Sequence, residues 1–544
     1  MSANPGLDEA TRAMIIETIG ALRRELLTRE KILELDDNSE FPQEIIRELL
    51  SERIGLQLVF IPQEYGGLGG NAYDTYRVSV ELAQICLGVA TAFLAIHLGA
   101  EPLLLFGTEE QKRIWLGRIV NDGAIVAYAV TEADAGSNLD AIKTKAEPLT
   151  DDSGQIIAYR LNGSKQFISN GGYADFVSLL AKTPQGATFF IIDGRSEGLK
   201  RGKPEHKHGI RASNTSPLTL DNVIVPAENI IGGEPGLGLK QANEVFAYTR
   251  LMVAAFGLGA GLSAMEKAVK FASERIQFGT PLLEKQGYTH KLLVPNIVRL
   301  TAAQAYIEEI ARRIDSGDTE IMVEGSIAKY FATEAGNTAA EAAIQALGGY
   351  GYMHEYEVEK IKRDVRITTI YEGTSEIQQN IIYLFRWRTT IKSKGEFYRG
   401  LAEEMRLLSK QSGLESSAII AQAVALLNDL IFFAHNNKLT RQQHVQFLLA
   451  DMISWTEVAM ALARKTVEHI KRAESDSDKL KSILRIFVAE TARLVSNKSL
   501  EIMLGSATVN EETKKDLTEN LKKFDLAEVL KNIIVSMNSV VESV

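Results

Sequence analysis

From Asp8 to about Gly117 apolar residues recur at steps of three and four, as in EIIRELLSERIGL and TYRVSVELAQICLGVATAFLAIHLGAEPLLLFG. That spacing lines one face of an α-helix, so the chain is expected to open with a helical region. Proline and paired glycines at IPQEYGGLGG interrupt it once with a turn. Between Ala124 and about Ile231 the period shortens to two. IVAYAVTEADAGSN, IIAYRLNGSKQFISNGG, FVSLLAKTPQGATFFIID and SPLTLDNVIVP are rich in β-branched and aromatic residues between turn formers, which predicts a compact β domain of about one hundred residues. After GGEPGLGLK the helical pattern returns and runs through about Trp387, with Gly348, Gly349 and Gly351 as its main interruption. It continues from Ser393 in AIIAQAVALLNDLIFFAH and LLADMISWTEVAMALARKTVEHI. The expected division is a helical domain over 1–123, a β domain over 124–238, a helical bundle over 239–392 and a helical extension over 393–544. Overall this is an α+β multidomain chain.

Composition narrows the function classes. The 544 residues are 45% hydrophobic, enough for substantial cores. A net charge of −10 argues against a nucleic-acid surface, which needs a basic excess. The apolar runs read as short and charge-interrupted, and MSANPGLDEATRAM has neither a secretory nor a transit composition, so a soluble, cytoplasmic protein is expected. Cys86 is the single cysteine, which excludes an intrachain disulfide, and its apolar surroundings suggest helix packing. The charged run KRAESDSDKLKS is expected to be an exposed connection between helices.

Several common chemistries are missing. Gly257 and Gly259 are followed by Leu262 where a dinucleotide fingerprint needs its third glycine. Neither a Walker A lysine loop nor a GxSxG elbow occurs. His354-Glu355 begins like a zinc motif, but Val358 occupies the second histidine's place, and the eight histidines form no ligand set. Enzymatic chemistry here would therefore rest on carboxylates and an organic cofactor.

Three segments concentrate candidate chemistry. YAVTEADAGSN, from Tyr128 to Asn138, sets hydroxyls and an acid beside small residues at a strand-to-loop transition, where backbone amides can approach a ring or phosphate; taken alone it is an ordinary loop. SERIQFGTPLLEKQ places Arg275, Gln277 and Phe278 at an expected helix end closed by Gly279, with Arg275 suited to a pyrophosphate and Phe278 to an adenine. A plain helix C-terminus with a favourable dipole partner explains the same residues. The third, QALGGYGYMHEYEVEKIKRDVRITTIYEGTSEIQ, joins a glycine turn, two arginines and Glu372, which sits between Tyr371 and Gly373 ahead of a helical run.

In order and content these segments resemble the acyl-CoA dehydrogenases, from about residue 40 to 390. IPQEYGGLGG, LLLFGTEEQK, LNGSKQFISNGG and GIRASNTSPLTLDNVIVPAENIIG are similar as well, and the helical extension resembles that of the very-long-chain branch. The resemblance implies FAD, an acyl-CoA substrate converted to its trans-2-enoyl thioester, and electron-transfer flavoprotein as acceptor. It implies Glu372 as the α-proton base, with its backbone amide on the thioester oxygen. Some relatives carry the base directly before a characteristic arginine, but here Thr249 precedes Arg250, so Glu372 keeps the role. Phe246, Arg250, Gly373 and Ser137 fall at substrate positions. Tyr128, Val130, Thr131, Gly136, Ser137, Phe167, Ile168 and Ser169 fall at flavin positions, where Phe167 and Ser169 replace a frequent tryptophan and threonine. Arg275, Phe278, Gln345, Gly348 and Gly349 fall where relatives contact the FAD of a neighbouring subunit, Gln277 falls at a cofactor position beside them, and Thr374 and Glu376 complete the nucleotide side. Glu376 stands in for a frequent glutamine and Asn138 for a frequent aspartate. A homodimer is expected from the extension, and peripheral membrane contact stays open. An oxidase or monooxygenase of the same fold, and a non-catalytic assembly or binding module, are the alternatives.

Overall fold

The structure, a computed structural model, describes residues 5–505, 509, 521, 524 and 526–544. Helices occupy Glu9–Glu25, Arg29–Asp37, Gln43–Leu49, Ala72–Ile85 and Leu87–Phe106. Local chemistry fixes their starts. The Asp8 carboxylate accepts the Thr11 amide at 2.7 Å. Asn71 and Asp74 form a reciprocal capping box, while Asp315 accepts the amides of Ala72 and Tyr73 at 2.8 and 3.2 Å.

The expectation of short, charge-interrupted apolar runs does not hold. Leu87–Phe106, Gly238–Glu274, Glu415–Asn436 and Gln443–Lys471 are each long and apolar enough to cross a membrane by length and composition. Protein covers 67–78% of their most apolar windows, because these helices are wrapped by other elements rather than packed along one stripe.

The central strands are β1 (Val126–Ala129), β2 (Lys145–Thr150), β3 (Ile156–Ser169), β4 (Phe176–Thr183), β5 (Gly186–Asp193), β6 (Leu199–Arg201) and β7 (Thr215–Pro226). They form one sheet in the order β1-β4-β2-β3-β7-β6, with β5 paired to β4. Ala129, Leu161, Leu179, Phe190, Leu218 and Val223 build its buried core. The β3–β7 register shifts between Lys165 and Ile168. That irregularity leaves Phe167 at φ +59°, a conformation bulky L-residues adopt only when neighbours enforce it.

Two compact units form. The first comprises Met1–Ala260, Ala311–Thr319 and Lys360–Thr368; the second comprises Gly261–Ile310, Glu320–Glu359 and Thr369–Val544. The extension belongs to the second unit, where its helices Glu396–Ser412, Glu415–Asn436, Gln443–Lys471 and Ser477–Leu504 pack with Met322–Leu347 and Ser375–Lys392. A buried ionic cluster joins them. Arg386 donates twice to Glu457, both at 2.7 Å, and to Glu324 at 3.0 Å, while the Tyr398 hydroxyl meets Glu457 at 3.2 Å. Removing one member of such a cluster strands a buried charge and costs about 3–5 kcal/mol. The order helical, β, helical, then further helical is the one the sequence predicts.

Candidate functional site

In the second unit, Glu372 and Gly373 lie at φ +55° and +89° in a turn that ends at Thr374, the N-cap of the Ser375–Lys392 helix. The Thr374 hydroxyl accepts the Ile377 amide at 3.4 Å. Left-handed backbone costs a glutamate about 1–3 kcal/mol and persists only where the surroundings impose it. Here they do. Gln378 Nε2 donates to the carbonyls of Glu372 and Gly373, each at 3.0 Å, and the fully buried Lys329 donates Nζ to the Gly373 carbonyl at 2.7 Å. The Glu372 side chain is half-buried and Glu376 is exposed.

A further layer stands behind the turn. Asp451, in the extension, accepts from the Tyr330 hydroxyl and from Gln379 Nε2, both at 2.7 Å, and pairs with Lys498 at 2.7 Å. Tyr330 follows Lys329 and Gln379 follows Gln378, so one extension carboxylate grips the neighbours of both residues that hold the turn. Sequence reasoning missed Lys329, Gln378 and Asp451. A lysine inside the otherwise small and apolar run GSIAKYFA was the available signal.

The same unit contains an open concavity of ≈ 470 Å³ lined by Arg275, Gln277, Gln345, Gly348 and Gly349, together with Phe271, Tyr350 and Met353. Arg275 lies over the Tyr350 ring at 5.7 Å. A Cβ added to Gly348 or Gly349 would meet nothing within 4 Å, so the backbone is open to a ligand there. The expected helix end at Gly279 is corrected. The helix stops at Glu274, and Ile276–Gln277 pairs with Thr280–Pro281 around a hairpin turn. Phe278 and Gly279 take that turn at φ +50° and +85°, and Phe278 is 97% exposed at its tip, outside the residues lining the concavity.

In the first unit, Tyr128 of β1 stacks on Phe189 at 5.6 Å and meets Phe246 edge-on at 5.9 Å. Val130 is buried and Thr131 half-buried, and the Thr131 carbonyl accepts the Gln166 amide at 2.9 Å, tying the first candidate loop to β3. Beneath this junction the buried Lys165 donates to the Val130 carbonyl at 3.1 Å and to Glu132 at 2.7 Å. Glu132 also accepts the amides of Lys143 and Thr144 at 2.6 and 3.1 Å. Burial works to raise the Glu132 pKa, but Lys165 and these hydrogen bonds outweigh it and hold the carboxyl below its ordinary value. Burial pulls Lys165 down to about 8. Phe167 is 62% exposed, Ile168 buried and Ser169 half-buried. Gly136 and Ser137 are exposed, and a Cβ at Gly136 would meet nothing within 4 Å. On the Gly238–Glu274 helix Phe246 is half-buried, whereas Thr249 and Arg250 are buried. Glu132 and Lys165 also escaped the sequence reading; an acid in the loop and a lysine within an alternating strand gave no sign that they pair.

The structure thus groups the candidates in three places: the turn at 372–376, the concavity at 275–349, and the strand ends at 128–137 and 167–169 with Phe246. The description "Acyl-CoA dehydrogenase, N-terminal domain" matches residues 9–122, "middle domain" 127–223 and "C-terminal domain" 236–384. A 3-(aryl)acrylate reductase of Clostridium sporogenes (strain ATCC 15579) is 37% identical over 358 residues, covering 64% of this chain and 91% of that protein. An acyl-CoA dehydrogenase of Bacillus subtilis (strain 168) is 36% identical over 367 residues, covering 66% of this chain and 93% of that protein. The solved structure of an acyl-CoA dehydrogenase complexed with FAD, from Bacillus anthracis, has a TM-score of 0.84 and 24% identity over 98% of this chain and 95% of that chain. That likeness is one of fold, and its coverage takes in the extension.

Proposed function

The chain belongs to the acyl-CoA dehydrogenase family of FAD-dependent oxidoreductases, and we propose that it desaturates an acyl-CoA between its α and β carbons with Glu372 as the base. The residues present fit the cofactor. Gly136, Gly348 and Gly349 leave backbone open, Phe167 offers an exposed aromatic face, and Arg275 supplies an exposed cation for a phosphate. When bound, FAD supplies the acceptor for the hydride leaving the β carbon.

The chain's own residues account for the rest. The Glu372 carboxylate removes the α proton, a task for a base held beside the acidic carbon. The Glu372 amide donates to the thioester oxygen as enolate character develops. Gln378 and Lys329 occupy the carbonyls of 372 and 373, so the amide and carboxylate are directed by a turn that cannot relax to ordinary backbone. Phe246, Arg250, Gly373 and Ser137 line the acyl-CoA. Tyr128, Val130, Thr131, Phe167, Ile168 and Ser169 bind the flavin end; Arg275, Gln277, Phe278, Gln345, Gly348, Gly349, Thr374 and Glu376 bind the nucleotide end, some of them in a homodimer partner. Electron-transfer flavoprotein as acceptor, a very-long-chain type of extension, the four-part division at 123, 238 and 392 and a cytoplasmic location belong to the same proposal. The observation that carries it is a glutamate held at φ +55° by buried donors on its own and the next carbonyl.

A second reading runs the same site backwards, with Glu372 returning a proton to the α carbon of an enoyl thioester; the 37% identity to a 3-(aryl)acrylate reductase favours it. Anaerobic titration of the purified protein with an acyl-CoA panel is expected to bleach the flavin, and subsequent exposure to air with product bound to reoxidise it slowly. No bleaching by any thioester would defeat the desaturation reading, and rapid reoxidation would make the protein an oxidase.

A further inference from the structure

Lys165, on β3 in the first unit, is fully buried, and its Nζ donates to the Val130 carbonyl at 3.1 Å and to Glu132 at 2.7 Å. Glu132 balances its charge. The contact with Val130 does something further, because that carbonyl is one end of a peptide unit whose other end is the Thr131 amide. Val130 is buried and Thr131 half-buried just beyond β1, and among the described residues no acceptor takes the Thr131 amide. Val130 and Thr131 are positions that the proposed function gives to the flavin, and the inference rests on that placement.

A peptide nitrogen shares its lone pair with the carbonyl oxygen, which gives the C–N bond partial double-bond character. A cation bonded to that oxygen draws the lone pair further and leaves the amide hydrogen more positive, as successive hydrogen bonds in a chain strengthen one another. A flavin ring that accepts a hydride gains electron density at its nitrogens and carbonyl oxygens, so a stronger donor aimed at it favours the reduced form. We propose that Lys165 is a positioning residue that raises the reduction potential of the bound flavin, acting through the Val130–Thr131 peptide.

The charges around the pair are few. The Glu132 carboxylate also accepts the Lys143 and Thr144 amides at 2.6 and 3.1 Å, and the Lys143 ammonium pairs with Asp134 at 2.6 Å at the surface. Burial pulls Lys165 down to about 8 while Glu132 works to hold it up. Its charge is therefore present at pH 7 and is lost as the pH rises through about 8. If the ammonium favours reduced flavin, reduced flavin in turn tightens the proton on Lys165. The potential should then fall more steeply with pH just above 8 than it does below.

The test is the midpoint potential of the FAD-loaded protein, measured with redox dyes and without substrate on both sides of pH 8. Wild type is compared with the double variant Lys165→Met/Glu132→Gln, in which no charge is stranded. The double variant is expected to have a lower potential at pH 7, by about tenfold in the reduction equilibrium or about 30 mV for a two-electron couple, and to lack the steeper region. Glu132→Gln alone removes the carboxylate that holds the proton on Lys165, so its steeper region is expected at lower pH than in wild type. Equal potentials in wild type and double variant at every pH would overturn the proposal, leaving a lysine that only fastens the loop and whose loss lowers FAD content. So would a wild-type potential with no steepening above pH 8, a result that needs no variant to fold. Neither outcome touches the desaturation reading, and a flavin that shows the expected potentials but is bleached by no thioester would defeat that reading alone.

Discussion

Glu372 and Phe167 are both bulky L-residues at positive φ, +55° and +59°, yet they are held by different means. The turn at Glu372 is clamped by side chains, with Gln378 and Lys329 on two consecutive carbonyls and Asp451 of the extension gripping the residues next to them. Phe167 is held by backbone pairing, through the shifted β3–β7 register and the bond from the Gln166 amide to Thr131, with the Lys165–Glu132 pair beneath. A side-chain clamp can be loosened one residue at a time. A strand ladder spreads the same constraint over many bonds, so its weak point is the buried pair rather than the strained residue.

Lys165→Met should have the largest effect on stability, because it strands the Glu132 carboxylate: a loss of about 3–5 kcal/mol by chemical denaturation, with reduced FAD content on purification. Lys329→Met should cost about 1.5–3 kcal/mol, the range for a hydrogen bond from a charged donor. Its kcat should fall while KM moves little, and an unchanged kcat would break the clamp side of the comparison. Asp451→Ala leaves the Tyr330 and Gln379 donors to find new partners and should cost about 1–3 kcal/mol, with a smaller drop in kcat than Lys329→Met. Phe167→Gly should be mildest. Relief of the positive φ offsets the loss of an exposed ring, leaving stability within about 1 kcal/mol of wild type, and a larger loss would mean that the ring itself braces the bulge.

Much of this was legible in the chain. The change from three-and-four spacing to alternation located the strands from Val126 to Pro226, and the family resemblance singled out Glu372, which lies in the clamped turn although its role as base is a proposal. What escaped depends on contacts between residues distant in sequence. Lys329 reaches a carbonyl 44 residues away and Tyr330 a carboxylate 121 away, and neither spacing leaves a local pattern. The hairpin at Phe278–Gly279 was hidden because its two-residue strands are too short to show alternation, so the glycine read as a helix cap. The strain at Phe167 arises from a shift between β3 and β7, which β3 alone does not encode. The long apolar helices were misjudged for another reason: their covering elements come from separate segments of sequence.

The most direct test of Glu372 is exchange of the substrate's α proton for solvent deuterium, followed by NMR under anaerobic conditions with wild type and Glu372→Gln, both loaded with FAD. Wild type is expected to catalyse the exchange and the variant to lose it by roughly 10²–10⁴-fold while still binding thioester; exchange at close to the wild-type rate in Glu372→Gln would contradict its assignment as the base.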